Sequence, residues 1–323
     1  MRRGAAALCA LLFSLAALSG CIGEATLPSE ATSPEDETPP AQAALFDECI
    51  EHDGYERCWL THIPSTYDAA SPAPLLINMH GFGGTNSDFY NYSQFNVLAE
   101  EEGFVTLYPS GIEDSWNAGW CCGEAKDVGI DDVDFILTMI ETVSTNISFD
   151  ATRIYASGHS NGCAMTHKLA NEASHVFAAA GCMALYLLEE PHPSYSPISL
   201  IEVHGVVDAI IPYGTSYSSS LYFDGSLDGE EGAIQNIMDW AEMNGCEDSS
   251  GLPKVFENYA DYSVMGYDAC EMDTEVHLVT LNYANHWPYP GIDFDNPTDV
   301  DTVQIVWDFM SRFSKSDDPI MVE

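Results

Sequence analysis

The chain alternates short apolar runs with amphipathic segments along most of its length. The apolar runs include "APLLINMH", "GFVTLYPSG", "RIYAS", "ISLIEVHG" and "VHLVTLNY". Segments such as "DDVDFILTMIETVSTNI" lie between them, and their apolar residues recur at helical spacing. Continuously apolar strands are typical of a parallel sheet that is covered on both faces. The alternation therefore predicts an α/β fold with a mostly parallel central sheet and helices on both faces.

The first 21 residues predict export. "MRRG" is basic, "AAALCALLFSLAAL" is a short apolar run, and "LSGC" ends it with small residues. This is the pattern of a signal peptide, and it is too short for a lasting membrane span. "LSGC" also resembles the bacterial lipobox, in which the cysteine, here Cys21, is lipidated after cleavage. We expect an exported lipoprotein of the outer membrane or cell surface, or a form released from it; an ordinary cleaved signal is the alternative.

The rest of the chain divides by composition into three parts. Residues 22–44 are rich in Pro, Glu, Ser and Thr and contain little that could be buried, so they predict a disordered tether. Residues 45–315 predict a single catalytic domain, and 316–323 a C-terminal tail. We expect a monomer that contacts the membrane only through its lipid anchor.

The charge balance limits the partners. Nine basic residues stand against 51 acidic ones, giving a net charge of −42. Phosphate backbones are bound by clustered Lys and Arg, so the sequence argues against nucleic-acid binding. The same charge disfavours anionic polymers as substrates.

Eight cysteines follow Cys21, and an even number in an exported protein predicts disulfide bonds. The two pairs suggested by closeness in the chain are Cys49 with Cys58 and Cys246 with Cys270. Spacing alone does not fix the connectivity of the other four.

Cys121 and Cys122 are adjacent, and a bond between neighbours is expected to be strained, because their Cα atoms lie closer than the usual disulfide range. Pairing with Cys163 or Cys182 is the alternative. The surrounding "WCCGEAKD" is not the electropositive or His-rich setting of a redox or metal site.

"GHSNGC", residues 158–163, stands where an apolar run meets a helical segment. A serine on a sharp strand-to-helix turn needs small neighbours, and Gly158 and Gly162 supply them. This spacing predicts Ser160 as a nucleophile, and a glycine-rich connection is the alternative. A serine hydroxyl is a weak nucleophile, so it needs a base and an acid that orients the base.

Two later segments supply those groups in the order that α/β-hydrolases use, which is serine, acid and histidine. "IEVHGVVDAIIPY" places Asp208 just after an apolar run, and "LNYANHWPYP" places His286 just after the last one. Because the carboxyl ends of parallel strands meet at one edge of the sheet, we expect both side chains near Ser160.

Two backbone N–H groups are candidates for binding the oxyanion of the transition state. The N–H of Asn161 begins the helix that follows the nucleophile. The glycine-rich "HGFGG", residues 80–84, follows an early strand and presents the N–H of Phe82. A plain glycine turn is the alternative for this loop.

Six segments together carry a family resemblance: "NMHGFGGTNSDF", "YPSGIEDSWNAGWCCG", "DDVDFI", "RIYASGHSNGCAM", "HGVVDAIIPY" and "NHWP". They resemble the extracellular esterases grouped as polyhydroxybutyrate-depolymerase-like or LpqC-like, which are related to the feruloyl and acetylxylan esterases of carbohydrate esterase family 1. The resemblance covers about residues 55–313. It implies an α/β-hydrolase fold and a serine esterase, with Ser160, Asp208 and His286 as the triad and Phe82 and Asn161 as oxyanion donors.

The chain departs from the family pattern in two places. Cys163 stands where the family commonly has another glycine after the nucleophile turn, and "NYAN" replaces a glycine-rich stretch before the catalytic histidine. The second departure concerns the rim where substrate would bind.

Three tryptophans are candidates for substrate contact, namely Trp116, Trp120 and Trp287. They fall in loops expected to border the site, where an aromatic face would suit a sugar, a cinnamoyl ring or a polyester repeat. Ordinary packing is the alternative for each.

The sequence thus predicts a serine esterase without metal or cofactor that removes feruloyl or acetyl esters from plant polysaccharide. A depolymerase of polyhydroxyalkanoate or another polyester is the alternative. A non-catalytic surface binding protein on a hydrolase scaffold is less favoured, because a binder does not need a triad.

"GIDFDNPTDVD" does not match the spacing of a calcium loop and predicts an acidic helix start. We expect His80, His159 and His204 to be structural.

Overall fold

The computed structural model describes residues 42–119, 121–186, 190–214, 232–292, 295–298 and 300–316. The predicted signal peptide, Cys21, almost all of the tether and all but the first residue of the tail lie outside these ranges. Among the described residues, no helix combines the length and the apolar character needed to cross a bilayer.

One mixed sheet forms the framework, and ten of its strands lie within the described residues. The strands are β1 (Ala44–His52), β2 (Tyr55–Ile63), β3 (Ala73–Met79), β4 (Val105–Pro109), β5 (Phe149–His159), β6 (Ala179–Met183), β7 (Ser199–Gly205), β8 (Lys254–Asn258), β9 (Tyr262–Tyr267) and β10 (Val276–Leu281). Their order across the sheet is β1-β2-β4-β3-β5-β6-β7-β10-β9-β8. The inner strands from β4 to β10 pair in parallel, which confirms the predicted fold class.

Both edges of the sheet are antiparallel, and the sequence did not predict them. The segment "ERCWLTHI" lies in β2, which pairs with β1 on one side and with β4 on the other. β1 is mostly exposed or half-buried and lacks the apolar run that marks a buried strand. The same is true of β8, which pairs with β9 at the other edge.

Helices cover both faces of the sheet. They are α1 (Asn86–Tyr92), α2 (Phe95–Glu102), α3 (Glu124–Val128), α4 (Asp132–Ser144), α5 (Asn161–Glu172), α6 (Ala233–Met243) and α7 (Thr302–Met310). Buried residues of α4, α5 and α6 share one apolar cluster, and those of α1, α2 and α7 share the other. Along β3, Leu75 and Ile77 join the first cluster and Leu76 joins the second. This alternation explains why the inner strands are apolar throughout.

Acidic residues begin two of the helices. The Asp131 carboxylate accepts the Asp134 N–H at 3.0 Å and caps α4, and Asp301 caps α7 in the same way through Gln304. The neighbouring Asp132 points inward, where it accepts a 2.6 Å hydrogen bond from the buried guanidinium of Arg57. The described part of "GIDFDNPTDVD" thus contributes a helix cap.

Disulfide bonds join Cys49 to Cys58 and Cys246 to Cys270, the two pairs that closeness in the chain suggested. The first bridges directly opposed residues of β1 and β2. The second ties the end of α6 to the segment after β9.

Candidate active site

Ser160 lies on the turn between β5 and α5, where its φ of 53° is a backbone conformation that residues with a side chain rarely adopt. The two flanking glycines are packed against backbone. A Cβ on Gly158 would collide with the carbonyl of Gly162, and a Cβ on Gly162 would collide with that of Met79. The turn is therefore possible only because both neighbours lack a side chain.

The imidazole of His286 joins Ser160 to Asp208. Its Nε2 lies 2.9 Å from the Ser160 Oγ, and its Nδ1 lies 2.7 Å from an Asp208 carboxylate oxygen. His286 is on the loop after β10 and Asp208 on the loop after β7, and these strands are neighbours in the sheet. The arrangement leaves Nε2 free to accept the serine proton when Nδ1–H donates to the carboxylate.

The Asp208 carboxylate is held by its own loop. One oxygen accepts the backbone N–H groups of Ile210 and Ile211, each at 2.8 Å. Burial alone would raise the pKa of this carboxyl, but its hydrogen bond to His286 and its electrostatic interactions with the imidazoles of His286 and His204 outweigh burial and lower it. Asp208 is therefore ionised near neutral pH.

The glycine loop after β3 lines the cleft. The N–H of Gly83 donates to the Asp114 carbonyl, and that of Gly84 to the Gly81 carbonyl. The N–H of Phe82 has no backbone acceptor within the described residues. Phe82 is 54% exposed and lines the cleft. Asn161 begins α5, where the first N–H groups of a helix have no partner within it.

The side chain of Asn161 has a role that the sequence did not reveal. Its Oδ1 accepts the Trp116 N–H at 2.7 Å, and its Nδ2 donates to the Trp116 carbonyl at 3.0 Å. This pair of hydrogen bonds fixes the backbone at Trp116 next to the helix that follows Ser160. An amide that pairs with a distant backbone leaves no periodic signal in a sequence.

Two buried histidines organise the backbone around the triad. The His159 Nε2 lies 2.6 Å from the His286 carbonyl, and the His80 Nδ1 lies 2.8 Å from that of Gly81. Burial lowers the pKa of His159 to about 3 and that of His80 to about 4. Both imidazoles are neutral near pH 7 and serve as donors to carbonyls.

The three tryptophans have different outcomes. Trp287 adjoins His286, is 36% exposed and lines the cleft. Trp116 does not reach the cleft, contrary to our expectation, because its ring is fully buried and its Nε1–H donates to the His80 carbonyl at 2.9 Å. Trp120 lies outside the described residues.

Above Ser160 lies a cleft of about 850 Å³. Its apolar lining consists of Phe82, Leu185, Ile210, Ile211, Trp287 and the disulfide between Cys121 and Cys122. The sequence did not place that disulfide in the cleft.

The remaining cysteines, Cys163 and Cys182, are joined under the nucleophile helix. Donor atoms of Cys163, His167 and Cys182 lie within 4.8 Å of one another. Sulfurs that share a disulfide bond are not thiolates, and the thiolate is the form that binds metals.

Comparison with known proteins shows what this chain is similar to. Residues 58–212 match the family described as "Esterase PHB depolymerase". The chain is similar to feruloyl esterase B of Piromyces equi, with 28% identity over 264 residues that span 79% of this chain and 45% of that protein. It is also similar to a probable feruloyl esterase C of Aspergillus niger, with 25% identity over 58% of this chain and 62% of that protein. The chain thus spans less than two thirds of the length of either relative.

The fold also matches a solved structure. An acetyl xylan esterase from Aspergillus awamori superposes with a TM-score of 0.55, covering 75% of this chain and 94% of that one at 15% identity. At this identity the likeness establishes the fold alone.

Proposed function

Because residues 58–212 match the family described as "Esterase PHB depolymerase", we propose that the protein is an exported serine esterase that hydrolyses carboxylic esters through an acyl-enzyme. The observation that carries the proposal is the continuous hydrogen-bonded path from the Ser160 hydroxyl through His286 to Asp208. A binding protein on the same scaffold would have no use for this path.

In the proposed reaction, His286 Nε2 takes the proton of Ser160 as its Oγ attacks the ester carbonyl carbon. The carbonyl oxygen becomes an oxyanion, which the N–H groups of Phe82 and Asn161 bind. The intermediate collapses, and His286 returns the proton to the departing alcohol, leaving an acyl-serine. Water then repeats the sequence: His286 removes its proton, hydroxide adds to the acyl carbon, and the acid leaves as Ser160 is protonated.

We propose feruloyl or acetyl esters of plant polysaccharide as the substrate class. The names of the relatives support it, and so does a cleft whose apolar wall is suited to an aryl or small acyl group. The family name favours the alternative, a polyhydroxyalkanoate or other polyester depolymerase.

The nucleophile is tested with p-nitrophenyl acetate. We expect Ser160→Ala to lower kcat about 10⁶-fold, since loss of the nucleophile alone abolishes triad catalysis. Equal rates for wild type and variant would overturn the assignment. Rates on methyl ferulate, acetylated xylan and poly(hydroxybutyrate) then select the substrate class.

The cleft wall is tested by removing its disulfide. If aryl groups contact Cys121 and Cys122, the double variant Cys121→Ala/Cys122→Ala should raise KM for methyl ferulate several-fold, through lost sulfur–aromatic contact, and leave KM for p-nitrophenyl acetate nearly unchanged. Cys246→Ala/Cys270→Ala is the matched control, because it removes a disulfide away from the cleft. Equal changes for both substrates would contradict a role in aryl binding.

We also propose that the protein is a monomeric lipoprotein anchored through Cys21. Four disulfides in the described residues fit an oxidising compartment. Cys21→Ala should move the protein from the detergent phase to the aqueous phase in a phase-partitioning assay. Unchanged partitioning would contradict anchoring.

A further inference from the structure

Two ionisable side chains that the triad mechanism does not use are buried directly behind Asp208. Glu202 and His204 lie two residues apart on β7, and neither side chain is exposed. The His204 Nδ1 lies 2.7 Å from one Glu202 carboxylate oxygen. The other His204 nitrogen faces the Ile211 carbonyl at 3.0 Å.

The two contacts determine how many protons the pair holds. A carbonyl oxygen only accepts hydrogen bonds, so His204 Nε2 must carry a proton. The contact between Nδ1 and Glu202 contains one further proton, which belongs either to the imidazole or to the carboxyl. The pair is neutral overall in both cases, but only in the first does it place a positive charge on the imidazole.

The surroundings favour the imidazolium. The second Glu202 oxygen accepts a 2.5 Å hydrogen bond from Asn236 Nδ2, which stabilises the carboxylate. Burial opposes this form, because it raises the pKa of Glu202 and taken alone would lower that of His204. The hydrogen bond and charge of Glu202 and the charge of Asp208 outweigh burial and raise the pKa of His204.

The imidazole is oriented so that its charge acts on the triad. His204 Nε2 lies 3.6 Å from the Asp208 oxygen that also accepts from His286, whereas Glu202 is on the opposite, Nδ1 side of the ring. We propose that Glu202 and His204 are positioning residues that hold a buried imidazolium behind the catalytic carboxylate and thereby extend activity to lower pH.

The other groups that face His204 do not supply this charge. Tyr186 stacks on the ring at 5.8 Å and donates its hydroxyl to the Pro212 carbonyl. Tyr213 meets the ring edge-on at 5.8 Å, and burial raises its pKa to about 12, so it is neutral. Beyond Asp208, the next titratable ring is His286 itself.

The expected effect follows from Coulomb attraction. The imidazolium offsets part of the negative charge of Asp208, so the triad binds a proton less tightly and His286 is available as a base at lower pH. This inference rests on the proposed function. A failure of that function would appear as hydrolysis that does not depend on Ser160, whereas a failure of this inference would leave the triad active but its pH profile unaltered by the pair.

The test is Glu202→Gln, which keeps the shape of the side chain and removes the charge that holds the second proton on His204. We expect the acid limb of kcat/KM for p-nitrophenyl acetate to move up by about one pH unit, with KM nearly unchanged. Asn236→Ala, which removes the donor to the carboxylate, should move it the same way by less. An acid limb that stays in place in Glu202→Gln would overturn the proposal.

Asp132→Asn is the matched control, because it neutralises another buried ion pair, with Arg57, that does not contact the triad. The Asp132→Asn variant should have lower thermal stability and an unchanged acid limb of kcat/KM.

A second measurement needs no variant: ¹⁵N NMR of wild-type histidines should show His204 doubly protonated from pH 6 to 9. A neutral His204 at pH 7 would also overturn the proposal.

Discussion

The two sides of the cleft above Ser160 are built in different ways. On the nucleophile side, Ser160 is positioned by backbone packed on backbone, and Gly158 and Gly162 have no room for even one added carbon. On the acid side, Asp208 and His286 are loop residues that are fixed by hydrogen bonds between side chains and from the Asp208 loop. The geometry of the nucleophile side therefore requires residues without a side chain, whereas that of the acid side requires particular hydrogen-bond donors and acceptors.

Because of this difference, substitutions on the nucleophile side should mainly affect stability, and substitutions on the acid side should mainly affect activity. Adding a methyl group on the nucleophile side should damage the fold first, because interiors are packed close to their limit. Changing one atom of a side chain on the acid side should preserve the fold and remove activity. The three predictions below test this contrast, and the largest effect comes first.

Asp208→Asn should lower kcat about 10⁴-fold, because an amide does not stabilise the imidazolium form of His286 and can hold the wrong tautomer. Thermal unfolding should change little, since the amide oxygen can still accept the N–H groups of Ile210 and Ile211. Steady-state kinetics and a melting curve measure the two quantities. A rate within tenfold of wild type would exclude Asp208 as the acid.

Gly162→Ala should destabilise the protein by about 3 kcal/mol, because the new Cβ would collide with the carbonyl oxygens of Met79 and His80. Urea unfolding measures the loss. Gly251→Ala is the control, since Gly251 is exposed and its Cβ would make only ordinary contact at 3.4 Å, so the change should stay within about 0.5 kcal/mol. Equal stability of the two variants would contradict the proposed dependence on close backbone packing.

His167→Gln should reduce the loss of stability on acidification. Burial on the nucleophile side lowers the pKa of His167 to about 3, whereas an unfolded histidine titrates near 6.5. Between these values the unfolded chain binds a proton that the folded protein does not, so stability falls as pH falls.

The glutamine can keep the hydrogen bond to the Leu185 carbonyl but cannot take up that proton. Relative to the variant, the wild type should therefore lose about 1.4 kcal/mol per pH unit from pH 6 to 4. Urea midpoints across this range measure the difference. If the free energy of unfolding changed with pH by the same amount in both proteins, His167 would bind its proton in the folded protein as it does in the unfolded chain, which would contradict this prediction.

The sequence predicted those features that repeat or that occur at strand ends. Apolar runs of inner strands indicated the parallel sheet, and Ser160, Asp208 and His286 each follow such a run, so their meeting at one edge could be anticipated. The mostly exposed strands at the sheet edges carry too few buried positions to produce an apolar run, and they were missed.

The sequence also did not predict which way individual side chains face or which groups they contact. Trp116 was expected in the cleft, but a tryptophan in a loop can face either way, and here the His80 carbonyl draws its N–H inward. His204 was expected to be structural, and that expectation did not include its distance of 3.6 Å from Asp208, which depends on how the chain turns after β7. Spacing along a chain does not record such three-dimensional neighbours.

The order of strands has a consequence for how the protein folds. At the edges, β1 with β2 and β8 with β9 are hairpins whose partners are adjacent in the chain. In the centre, Leu76 of β3 pairs with Tyr155 of β5, and Val203 of β7 with Val279 of β10, so long loops must close before these contacts form. The edge that carries Ser160, Asp208 and His286 is assembled from these central pairings, so we expect the cleft to form late in folding.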